Sequence, residues 1–193
     1  MAEPTSSQPL GPEPFRFVLT DEEKSYLKAL VRQSIKDGFA GGGRPGKPPT
    51  EKLTSELGAF VTLKENGGLR GCIGHIIGDK PVYETVYEMA QQAAFRDPRF
   101  PPVQPGEFDS LEIEVSILSP ITPCPDLRQI APGRHGLLVL RPPRSGLLLP
   151  QVASEYGWDC ETFLAQTCLK AGLPPDAWKE PGTDVYWFEA EVF

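Results

Sequence analysis

Three side chains able to do chemistry fall within six positions of each other: Arg70, Cys72 and His75, in the run LRGCIGH. If the run is extended, Arg70, Cys72 and Gly74 share one face of the strand, and Leu69, Gly71 and Ile73 share the other. A guanidinium on the same face as a thiol favours the thiolate, and the thiolate is the nucleophilic form of cysteine. Gly71 and Gly74 carry no side chains that would keep a ligand from the backbone. The spacing predicts a cleft between a sheet and a helix, with Arg70 and Cys72 both facing it. The same string also suits a small buried cysteine beside glycines of a bulge, because unpaired Cys is among the most buried residue types. His75 falls on the face opposite Cys72, so it is a poor base for that thiol unless the chain turns at Gly74.

A second constellation is RDPRFPP, residues 96–102. Arg99 could grip a carboxylate or phosphate through its planar fork, or Asp97 could hold it in a structural ion pair. The Asp97-Pro98 step is in any case a helix stop. Glu112 and Glu114 lie on the polar face of a strand and are expected to be solvated. His135, in GRHGLL, precedes a strand and is expected in a solvated loop. Cys72-x-x-His75 is the nearest approach to a metal-ligand spacing, since the chain has neither C-x-x-C nor H-E-x-x-H. Cys160 and Cys168 fit the buried stripe of a helix, and all four cysteines are expected to be free thiols.

These residues need elements to hold them. Residues 1–18, rich in Pro, Ser and Glu, are expected to form a loosely ordered tail. Thr20 and Glu23 form a capping box for a helix whose apolar face is Leu27, Leu30, Val31 and Ile35. The Gly- and Pro-rich stretch near 38–50 reads as an exposed loop. GAFVTLKENGGLRGCIG reads as a hairpin turning at Asn66-Gly67-Gly68. Val82, Val86, Met89, Ala90 and Ala93 recur at helical spacing. LEIEVSIL alternates as a half-buried strand, and two short strands flank Pro142-Pro143. A helix runs from Asp159 to Gly172, and a closing strand should place Tyr186, Phe188, Ala190 and Val192 on one side. Strands joined by hairpins favour antiparallel pairing. The expected class is therefore α+β, an antiparallel or mixed sheet with flanking helices and a smaller subdomain, with 19–193 as one domain of two subdomains.

The chain has 193 residues, 23% charged and 39% hydrophobic, with a formal net charge of -7. That balance disfavours nucleic acid as a partner, although arginines gather in the central third. There is no apolar run of bilayer length and no leader-like start, so a cytoplasmic location and no membrane partner are expected.

In order along the chain, GAFVTL, LRGCIG, DPRFPPV, LEIEVSIL, GRHGLLV, LLLPQVA and CLKAGL resemble the AMMECR family, whose microbial members are called AmmeMemoRadiSam system protein A. The resemblance runs from about Thr20 to Phe193. It implies an antiparallel sheet with helices and a smaller subdomain. It places cleft residues at Arg70, Gly71, Cys72 and Gly74 of the signature string, and at Asp97 and Arg99. On this reading Cys72 and Arg70 are the catalytic candidates, and Gly71, Gly74, Asp97 and Arg99 are binding residues around an anionic small molecule. The alternative is a non-catalytic binding or adaptor protein. The microbial name implies two associates, a Memo-type protein and a radical S-adenosylmethionine protein, and a role in RNA modification has also been attached to the family. No cofactor follows from the residues.

Overall fold

Why the first helix begins where it does is visible in four hydrogen bonds. The computed structural model describes residues 18–193, so the expected tail lies outside the described residues apart from Val18. Helix α1, Asp21–Phe39, opens on the capping box: Glu23 N–H donates to Thr20 Oγ1 (3.2 Å), and Thr20 N–H donates to the Glu23 carboxylate (2.8 Å). Glu23 is buried, and it also accepts from Thr50 Oγ1 (2.7 Å) and Lys52 Nζ (3.2 Å). The helix start thereby pins the far end of the 40–50 loop, and the turn that follows (Glu51–Thr54) buries Leu53.

Strands β1, Ala59–Glu65, and β2, Gly68–His75, form the expected hairpin. Asn66 and Gly67 have φ of 52° and 77°, the pair of positive values that a two-residue hairpin turn of matching twist requires. Helix α2, Val82–Phe95, covers one face of this hairpin together with α1. Strand β3, Glu112–Leu118, pairs with β1 and keeps Val115 and Ile117 in the same core.

The rest of the chain builds on β3. Its partner β7, Asp184–Val192, pairs with it at three positions and then with β5, His135–Arg141. Strand β5 forms a hairpin with β6, Arg144–Leu148, around the cis Pro142-Pro143 bond. The short β4, Thr122–Pro123, also lies along β7. The order is β2-β1-β3-β7-β5-β6, with every pairing antiparallel. Helix α4, Cys160–Lys170, packs on β5 and β6 with Leu164 and Cys168 inward. Helix α3, Pro150–Glu155, is six residues long and was not read from the sequence, because one and a half turns carry no periodicity.

The core gathers into one large cluster under α1 and α2 and two smaller ones around Phe163, Trp187 and Val139. Strand β7 departs from simple alternation: Trp187 and Phe188 are both buried, while Val192 is exposed. It serves two packing surfaces along its length, one beside β3 and one beside β5.

Candidate functional site

The LRGCIG string owes its geometry to one extra residue. Strand register runs Thr62 opposite Cys72 and Leu63 opposite Gly71, then Lys64 opposite Leu69, which leaves Arg70 without a partner. This is a β-bulge. Counted from the turn without it, Arg70 would face the helix-side core beside Leu63, and Cys72 would lie opposite Val61 in that core. The bulge instead puts Gly71 under α2 and turns Cys72 onto the outer face. A side chain at Gly71 would overlap the Ala93 carbonyl oxygen of α2, and one at Gly74 would overlap the ring of Phe60. Both glycines serve close packing here.

The bulge also corrects the expectation that Arg70 and Cys72 act together on one face. The Arg70 guanidinium turns to Glu107, with Nε to Oε1 at 2.8 Å and Nη2 to Oε2 at 3.2 Å, and donates to the Pro101 carbonyl (2.9 Å). Its charge is matched there, and Arg70 together with the Gln104 N–H holds Glu107 below the usual carboxylate range. Arg70 is a strut between the bulge and residues 96–110. Neither the cleft of about 330 Å³ at the far end of β1–β3, which includes Leu57, Ile76 and Pro120, nor that of about 240 Å³ at Arg141–Arg144 is lined by Arg70 or Cys72.

The cation bonded to the Cys72 backbone is Arg99. Strand β2 is the outer strand of its sheet, so the outward N–H and C=O of Cys72 have no strand to bond. Asp97 and Arg99 take that place: Cys72 N–H donates to Asp97 Oδ2 (2.9 Å), and Arg99 Nη2 donates to the Cys72 carbonyl (3.1 Å). Asp97 further accepts from Arg99 Nε (2.9 Å), Nη2 (2.7 Å) and backbone N–H (3.1 Å). The Asp97 side chain is only 1% exposed, and the Arg99 bonds, with the Cys72 N–H, hold it far below the usual carboxylate range against the cost of burial. The Arg99 side chain is 52% exposed. Its guanidinium is kept charged first by Asp97 and in smaller part by the Cys72 side chain. Thr62 Oγ1 donates to Cys72 Sγ at 3.3 Å. Of the two alternatives open for Arg99 in the sequence, the structure shows the pair with Asp97, and it leaves half of the Arg99 side chain exposed.

The register extends this arrangement inward. Thr62 lies between Cys72 on β2 and Glu114 on β3, all three on the face away from the helices. Glu114 accepts from Lys64 Nζ at 2.9 Å rather than being merely solvated, whereas Glu112 is exposed. The Lys64 ammonium is held above its usual range, first by its hydrogen bond to Glu114, with Glu155 and Glu112 adding charge.

The histidines stand apart. His75 pairs with Ala59 on the helix side of β2, and its Nε2 lies 3.3 Å from Asp79. It therefore does not complete a ligand pair with Cys72. His135 is buried rather than solvated: its Nδ1 accepts from Ala131 N–H (3.0 Å), its ring lies 4.5 Å from Trp187, and desolvation lowers its pKa. Thr62, Lys64 and Glu107 were missed in the sequence. Thr62 becomes readable only once the bulge is known, because the turn alone pairs Cys72 with Val61.

A family model described as AMMECR1 matches residues 28–193. Protein MK0488 of Methanopyrus kandleri is 47% identical over 185 residues, covering 91% of this chain and 89% of its own. Protein TK0174 of Thermococcus kodakarensis is 45% identical, with 91% of each chain covered. The crystal structure of uncharacterized protein PH0010 from Pyrococcus horikoshii superposes with a TM-score of 0.81 at 42% identity, over 90% of this chain and 92% of that one.

Proposed function

The chain belongs to the AMMECR1 family, and from that premise we propose that it binds a small anionic molecule at Cys72 and Arg99, with the Cys72 thiol placed to react with it. The observation that carries this reading is a half-exposed arginine side chain, braced by a buried carboxylate and bonded to the backbone of a cysteine whose thiol accepts a hydroxyl. An anion pairs with the outer edge of Arg99, whose position costs nothing further to fix because Asp97 and the Cys72 carbonyl hold it. The Thr62 hydroxyl, 3.3 Å from Sγ, holds the thiol in place on the outer face. The anion-holding role falls to Arg99 alone, because Arg70 is paired with Glu107.

Alkylation tests this. Iodoacetate carries a carboxylate and iodoacetamide does not, so the ratio of their rates at one cysteine reports a neighbouring cation. At Cys72 that ratio should fall about three- to tenfold in Arg99→Gln and be restored in Arg99→Lys, while the ratio at Cys160 stays fixed. A ratio at Cys72 that ignores residue 99, or a Cys72 that reacts no faster than Cys160, overturns the reading. That second outcome selects a binding or adaptor protein in which Asp97 and Arg99 serve only to close the edge of β2.

A further inference from the structure

Beyond the anion site, the outer face is polarised along one line. Its outer end is Arg99, with half of its side chain exposed. Its centre is Cys72 and Thr62, and its inner end is Glu114 with Lys64. Glu112 lies directly opposite that same lysine on β3. One ammonium between two carboxylates leaves the inner end net negative, whereas at the outer end Arg99, paired with the buried Asp97, is the charged group that reaches the surface. In the next row of the same face lies Ser116, opposite Phe60, 1% exposed, with a hydroxyl that has no hydrogen-bond partner among the described residues. An unpartnered buried hydroxyl beside an acidic row marks a place where a polar group of a ligand would gain a bond.

We propose that this line takes a zwitterion, its carboxylate on Arg99 and its ammonium at Glu114, the ligand chemistry being that of a short peptide rather than a phosphate ester or a dianion. The inference rests on the anion reading of Arg99 and adds the inner subsite to it. Length supports it. From β2 to β3 is two strand spacings, about 10 Å, and an extended chain of three residues spans about the same distance. The backbone amides of such a ligand would lie over Thr62 and beside Ser116.

The test uses triglycine, N-acetyl-triglycine, triglycine amide and glutarate as probes, titrated against the isotope-labelled protein and followed by the amide shifts of Thr62, Cys72 and Glu114. Triglycine should bind, and removing either of its charges should weaken binding about tenfold. Arg99→Lys should keep the preference for a free carboxylate. Lys64→Gln, which releases Glu114, should tighten triglycine several-fold without tightening triglycine's acetylated form. That gain is one a structural role for Lys64 would not produce. Stronger binding of glutarate than of triglycine, or no shifts at these residues with triglycine in millimolar excess, overturns the proposal. The alkylation ratio at Cys72 is independent of triglycine, so failure here leaves the anion reading to be judged by its own measurement.

Discussion

Gly71 and Gly74 look equivalent in the sequence, and the structure separates them. A methyl at Gly71 meets the carbonyl of Ala93, which is held by the last turn of α2 and has nowhere to go. A methyl at Gly74 meets the ring of Phe60, which is only half-buried and can swing aside. Gly71→Ala should therefore cost about 2–3 kcal/mol and Gly74→Ala roughly 1 kcal/mol or less, read from urea midpoints. Equal losses would mean that the ring is as immobile as the helix. The chemistry-bearing residue types were readable at this scale, since Arg, Cys and Asp-Pro-Arg stand out by identity. Their partnerships were not. Whether a guanidinium serves a thiol or a carboxylate depends on Glu107, 37 positions away from Arg70, and on a bulge chosen by packing. His135 shows the same gap, because a loop histidine becomes a core one only when Trp187 arrives from the last strand.

Elements were legible wherever a local rule decides them. The capping box at Thr20, the Asn66-Gly67 turn and the stripes of α2 and α4 each follow from residues within one or two turns. Strand β7 and helix α3 were less so, the one because it borders two cores, the other because it is too short to show a period. The start of α1 carries a pH consequence. Glu23 titrates near 4.5 when unfolded, and its bonds from Thr50, Thr20 and Lys52 bring it down to about 2 in the fold, against the cost of burial. A depressed carboxylate stabilises fully above its unfolded value, and the contribution is lost as pH falls toward the folded one. Between about pH 4.5 and 2, stability should therefore drop in the native chain. Glu23→Gln should remove that component of the slope and cost about 2 kcal/mol at neutral pH. An unchanged acid limb in the variant would show that other carboxylates set it.

At the scale of the whole molecule, the net charge of -7 would still permit a local basic patch. Most of the central arginines are already paired, and Arg96 alone does not make a patch. Arg99, Arg128, Arg134 and Arg141 each lie within 2.6–2.9 Å of a carboxylate, and Arg144 donates to the Gly172 carbonyl. With little counterion release to gain, the chain should show no sub-micromolar affinity for tRNA at about 150 mM salt. A tight complex that weakens steeply with added salt would contradict this and favour the RNA-related reading. Among the described residues no helix is long and apolar enough to cross a membrane.

The extra residue in β2 also bears on how the chain tolerates changes of length. Residues 68 and 69 pair with 65 and 64 on the turn side of Arg70, and Gly71 through His75 pair with 63 down to 59 beyond it. Deleting Arg70 would therefore splice two ladders that are already in phase, leaving Gly71 under α2 and Cys72 opposite Thr62, at the cost of the link to Glu107. Inserting a residue between Gly71 and Cys72 would throw the whole distal half of the strand out of phase and send the thiol into the core. A one-residue deletion at position 70 should thus be a milder lesion than a one-residue insertion two positions later, which inverts the usual expectation that strands bear gain and loss equally badly.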